Sequence, residues 1–142
     1  MFLRKIFKRS CNGSLIAEAA LVIPMLVGIS FVIIEFGNVL YLTNSLNQIS
    51  RSAARYASVT SSYTQQSLIT ASSASSLLPD VSKLTLSITP AAGASRSIGA
   101  VITVTAQYSY TPIVNPFGFF NSNKSWAPKI KSSSVARSEV SK

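Results

Sequence analysis

The chain has 142 residues, which is enough for one small domain. Only 12% of them are charged, about half the share of an average soluble domain. With no histidine, one cysteine (Cys11) and four acidic residues, an intrachain disulfide and a Cys-based zinc site are excluded, and the usual catalytic bases and nucleophiles are missing. We therefore expect no enzyme activity, no catalytic residues, no metal and no cofactor. The net charge is +9. Four of its cations, Arg4, Lys5, Lys8 and Arg9, sit together near the start, and the other nine are spread thinly with no aromatic-interleaved stripe. That distribution gives no nucleic-acid footprint, and no nucleic-acid partner is expected.

Residues 1–13 form a basic leader. Residues 14–42 are mostly apolar, and no charged residue stands between Glu18 and Glu35. A bilayer core needs about 20 apolar residues in a helix, and residues 15–34 supply them. The four leader cations outnumber Arg51 and Arg55 on the far side. The positive-inside rule then places the N-terminus in the cytoplasm and the C-terminus outside. A secretory signal peptide competes for this reading, since it also has a basic start and an apolar middle. The apolar run exceeds the roughly 7–15 residues of a signal h-region, and no A-x-A-like site follows it cleanly.

The helical pattern also continues beyond the span. Leu42, Leu46, Ile49, Ala53 and Tyr56 recur at spacings of three and four, with Arg51 and Arg55 on the other side. One helix is expected over residues 14–57, apolar all round at first and then amphipathic. Pro24 removes the hydrogen bond to Ala20 and is expected to kink it; simple tolerance of proline in membrane helices is the plainer alternative. Glu35 marks the outer end of the span as an interfacial carboxylate.

After a Ser/Thr-rich turn, residues 64–78 read as a weak second helix ended by Pro79-Asp80. From Leu84 the period becomes two. Leu84, Leu86 and Ile88 alternate with polar residues, and so do Ile102, Val104, Ala106, Tyr108 and Tyr110. Residues 90–99 read as a flexible hairpin loop between these strands. Residues 111–128 form a loop with Phe117, Phe119, Phe120 and Trp126. Those aromatics either offer an exposed patch to a partner or cover the end of the sheet. Residues 129–139 alternate again as a third strand. The expected fold is α+β and pilin-like: a long N-terminal membrane-spanning helix continuing into an amphipathic helix, packed on a small antiparallel sheet. Residues 58–142 would make a Ser/Thr-rich extracytoplasmic domain.

The residues that point to function lie where the leader meets the helix. A basic leader ends in Gly13, Ser14 follows, and Glu18 is the fifth residue beyond the glycine. This resembles the prepilin cleavage motif. Gly13 lets a protease approach the backbone closely. A carboxylate near the bilayer centre costs about 2.5–3.5 kcal/mol on translocon scales, less towards the edge, so such residues are usually functional. The plain alternative for Glu18 is a side chain snorkelling to the leader cations.

Gly13, then Ala17-Glu18-Ala19-Ala20-Leu21-Val22-Ile23-Pro24, then Glu35-Phe36-Gly37 resemble the TadE-like family, pseudopilins of the tight-adherence (Flp-type) pilus machinery. The Tyr108-Ser109-Tyr110-Thr111-Pro112 run and Arg137-Ser138-Glu139 are similar to the family's C-terminal pattern. Ala19 departs from it, standing where processed members often carry an aromatic residue. The resemblance implies a minor pilin or pseudopilin of the bacterial inner membrane. It implies cleavage between Gly13 and Ser14, a register role for Glu18 in assembly, and as partners a prepilin peptidase, the major pilin and other pseudopilins. A permanently anchored extracytoplasmic binding module, neither cleaved nor assembled, shares the topology but gives Gly13 and Glu18 nothing to do.

Overall fold

Residues 12–91, 94–113 and 127–141 are described by a computed structural model. The leader cations Arg4, Lys5, Lys8 and Arg9, together with Cys11 and the Phe117–Trp126 aromatics, lie outside the described residues.

Helix α1 runs Asn12–Val59, with Pro24 inside it. It enters two compact units, one ending at Ile34 and the other beginning at Glu35. In the first unit, residues 15–34 are exposed apart from half-buried Ala19. Leu15, Leu21, Ile23, Met25, Phe31 and Ile33 point outward on every side of the helix. A helix that is apolar all round and has none of the described residues packed over it suits a lipid environment.

The second unit holds the core. Its part of α1 behaves as the amphipathic pattern predicts: Leu42, Leu46, Ile49 and Ala53 are buried, Tyr56 is half-buried, and Arg51 and Arg55 are exposed. The short side chains of Ala53, Ala54 and Ala57 line the same buried face.

The expected second helix is two short ones, α2 (Gln65–Ala71) and α3 (Ala74–Leu77). Serine chemistry explains both the start and the break. Thr64 and Ser67 form a reciprocal capping box, with Ser67 in the position usually held by Glu or Gln. Ser72 caps α2, and Ser73 adopts φ 53, a left-handed conformation in which an α-helix cannot continue. A 3-10 turn at Val81–Lys83 follows.

Strands β1 (Leu84–Thr89), β2 (Val101–Ser109) and β3 (Lys129–Arg137) form an antiparallel sheet in the order β1-β2-β3. Leu86 pairs with Ala106, which pairs with Ser132. This register puts Leu84, Leu86, Ile102, Val104, Ala106 and Tyr108 on one face, where they join α1, Tyr63, Leu68 and Leu78 in a single cluster. The opposite face is mostly Thr, Ser and Lys. Replacing a fully buried member such as Ile49 or Ile102 by alanine falls in the class that costs about 2–5 kcal/mol. The architecture is the expected α+β one, a long apolar helix packed on a small antiparallel sheet.

Candidate functional site

Gly13, Ser14 and Glu18 all lie in α1, within its first two turns. An α-helix has 3.6 residues per turn, so Glu18 is stacked one turn beyond Ser14. The Glu18 side chain is exposed and flanked by exposed Leu15, Leu21 and Val22. No described cation pairs with it, and among the described residues the ion pair found is Lys83–Asp80 at 4.0 Å. Both of those side chains are about 40% exposed, so that pair contributes little. Hydrogen bonds from Ser82 hold the Asp80 carboxyl below its usual range.

Glu35 does more than mark an interface. Tyr110 Oη donates to Glu35 Oε1 at 2.6 Å, and the Ile113 backbone N–H donates to Oε2 at 3.3 Å. Both carboxylate oxygens thus hold the segment that leaves β2 against the first turn of the second unit. Burial, and then the hydrogen bond to Glu35, push the Tyr110 hydroxyl up to about 12, while Asn38 acts in the opposite direction. The signal for this contact in the amino-acid sequence is weak. Glu35 is the first acid after Glu18, and Tyr110 closes the apolar face of a strand, but nothing in the spacing joins them.

Two further clusters fix α1 to the domain. Ser132 Oγ donates to Asn47 Oδ1 at 2.6 Å and lies 3.1 Å from Ser50 Oγ. Ser50 Oγ also donates to the Asn47 carbonyl at 3.1 Å, so the two hydroxyls and the Asn47 groups share their protons in one cluster in which either serine can donate to the other. The second cluster centres on Arg96, which is 5% exposed. Its guanidinium donates to the carbonyls of Ala57 at 3.0 Å, Thr60 at 2.8 Å and Ser61 at 3.3 Å. It also lies 5.0 Å from the centre of the Tyr63 ring. The last carbonyls of a helix have no partner within it, and the helix dipole places negative charge there. A buried cation with no acid paired to it among the described residues is stable at that place because those carbonyls solvate it.

Residues 94–99 are therefore anchored through Arg96. Alternating patterns cannot reveal such a contact.

α1 is long and apolar enough to cross a membrane and, by length and composition, supplies a single-pass anchor. Residues 13–55 match the model of the TadE-like protein family. The likeness carried by Gly13, Glu18, Pro24 and Glu35 holds over that segment, and the family is a pilus-associated structural one. No curated protein and no solved structure matches the chain.

Proposed function

We propose, from the TadE-like character of residues 13–55, that this chain is a minor pilin or pseudopilin. It helps to assemble a tight-adherence (Flp-type) pilus or a related secretion filament. The match begins at Gly13, the residue on which the basic leader ends, and that coincidence carries the reading. α1 anchors the chain in a bacterial inner membrane. Arg4, Lys5, Lys8 and Arg9 hold its N-terminus in the cytoplasm, and residues 58–142 lie outside. Pro24 bends the span. A prepilin peptidase cleaves between Gly13 and Ser14, and the mature chain then meets the major pilin and other pseudopilins.

The mechanism turns on Glu18. Cleavage creates an α-amine on Ser14, with a reference pKa of about 8, so it is largely charged at neutral pH. One turn on, Glu18 carries the opposite charge among exposed apolar side chains. The same two groups can pair between neighbouring subunits, but only at one axial offset. An unpaired charge in a low-dielectric setting costs several kcal/mol, so that offset is favoured over its alternatives. The pair selects register more than it adds affinity.

The test compares wild type, Gly13→Val and Glu18→Gln in a strain that has the peptidase. Intact mass is expected to show loss of residues 1–13 in wild type and in Glu18→Gln, and their retention in Gly13→Val. Glu18→Gln is expected to insert normally yet crosslink poorly to the major pilin and yield few surface filaments. A wild-type mass that still includes Met1, or full crosslinking and filament numbers in Glu18→Gln, overturns the reading in favour of a permanently anchored module.

A further inference from the structure

The second unit carries an apolar groove of about 400 Å³ beside the start of its helix. Tyr41, Leu42, Leu78, Pro79, Tyr110 and Ile113 form most of its wall. This volume lies at the lower end of the range for small-molecule sites, roughly 300–1,000 Å³. The two tyrosine hydroxyls on its wall are already engaged. Tyr41 Oη donates to the Leu77 carbonyl at 3.0 Å, and Tyr110 Oη is spent on Glu35. The tyrosines thus turn ring surface towards the groove, and a ligand seated there meets mostly carbon, with Asn38 and Ser76 at its polar edge. Ile113 is nonetheless 72% exposed and Tyr41 56% exposed, so among the described residues the groove is open.

Its height along α1 identifies the occupant. Asn38, Tyr41 and Leu42 follow Glu35 by three, six and seven residues, which is about 5–10 Å at 1.5 Å per residue. Glu35 ends the uncharged run. Beyond the hydrocarbon of a bilayer lies an interfacial layer of about 5–7 Å on each side. The groove therefore opens at headgroup depth, where tyrosines concentrate in membrane proteins. Phe36 and Leu40 are exposed on another side of the same turns and continue the apolar belt.

We propose that this groove is a lipid site that takes an acyl chain of a phospholipid from the leaflet nearest Glu35. Seating a chain there steadies the domain against the bilayer surface. The inference rests on α1 being a membrane anchor, and on neither leader cleavage nor filament assembly.

The experiment uses the full chain reconstituted in vesicles whose phospholipids carry brominated acyl chains, which quench tryptophan on contact. Trp126→Phe supplies the background. Single tryptophans are placed by Ile113→Trp in the groove, Phe31→Trp in the span and Val135→Trp on the outer face of β3. Val135 pairs with Thr103, about 23 Å along β2 from Tyr110. Quenching of Ile113→Trp is expected to exceed that of Val135→Trp several-fold and to approach that of Phe31→Trp. Adding Ser76→Phe, an exposed substitution that narrows the groove, is expected to reduce it at least to half. If Ile113→Trp is quenched no more than Val135→Trp, or if Ser76→Phe changes nothing, the lipid site is wrong while the anchor stands. If Phe31→Trp is not quenched, the anchor reading fails and the lipid site fails with it.

Discussion

Arg96→Ala is the substitution with the most to say about how the domain holds its helix. It removes three charged hydrogen bonds, to the carbonyls of Ala57, Thr60 and Ser61, and the contact with the Tyr63 ring. A hydrogen bond to a charged group contributes about 1.5–3 kcal/mol net. A cation at a helix C-terminus adds about 0.3–1 kcal/mol, up to about 2 where partly buried. A cation–π contact adds about 0.5–2 kcal/mol. These terms do not simply add, because the guanidinium is desolvated in the native state and water reaches the freed carbonyls in the variant. Together these terms come to about 5–13 kcal/mol, and the desolvation of the buried ion, several kcal/mol, offsets well over half of that. The expected loss is thus about 2–4 kcal/mol. For a domain of this size each kcal/mol shifts Tm by about 4–8 °C, so a fall of at least about 8 °C is expected. Thermal unfolding of the full chain in nanodiscs, followed by circular dichroism, measures it. Arg96→Lys keeps the charge but not the fork, and is expected to fall between wild type and Arg96→Ala. If Arg96→Ala melts within about 2 °C of wild type, the carbonyls at the end of α1 do not need the guanidinium and the argument is wrong.

Two other outcomes follow from the domain's polar contacts. The Tyr110 hydroxyl has a folded pKa of about 12 against a reference of about 10, so the native state holds its proton where the unfolded chain releases it. Its contribution is complete below pH 10 and is lost as pH rises through about 12; tyrosinate absorbance should show a late-titrating component that Tyr110→Phe reduces, the remainder belonging to Tyr108, which burial also raises. Titration of every tyrosine near its ordinary value in the folded chain would refute the burial of the Tyr110 hydroxyl against Glu35. In the serine cluster, Ser132→Ala is expected to cost about 1 kcal/mol, and a cycle with Ser50→Ala to show a coupling of at least about 0.5 kcal/mol. Strict additivity would mean that the two hydroxyls, 3.1 Å apart, do not interact.

Much of the architecture was legible because it rests on periodicity. The Leu42-Leu46-Ile49-Ala53 stripe and the alternation through Ile102, Val104, Ala106 and Tyr108 are repeating patterns, and burial selects them directly. The split between α2 and α3 was not legible. It depends on the backbone dihedral of Ser73, a residue that resembles its serine neighbours in sequence. Arg96 and Glu35 were missed for a different reason. Arg96 reaches residues 35 to 39 positions away, and Glu35 reaches one 75 positions away. Neither interaction repeats, so neither leaves a period to read. The Gly13–Glu18 spacing is counted directly in the sequence, and the structure adds only that both residues lie in one helix.

Glu35 joins these strands of reasoning. A carboxylate at the end of a membrane span is ordinarily explained by its hydration alone, and then any polar residue would serve. Here both of its oxygens accept hydrogen bonds from the segment leaving β2, one of them from a tyrosine that is 7% exposed. Asparagine or serine cannot hold two donors on two equivalent oxygens. The side chain therefore has a role in the fold that its position at the interface conceals. It ties the end of the central strand to the first turn of the helix that emerges from the apolar run. It also occupies the Tyr110 hydroxyl, and so helps to leave the neighbouring groove apolar. The contact that secures the strand is in this way also the one that suits the groove to lipid.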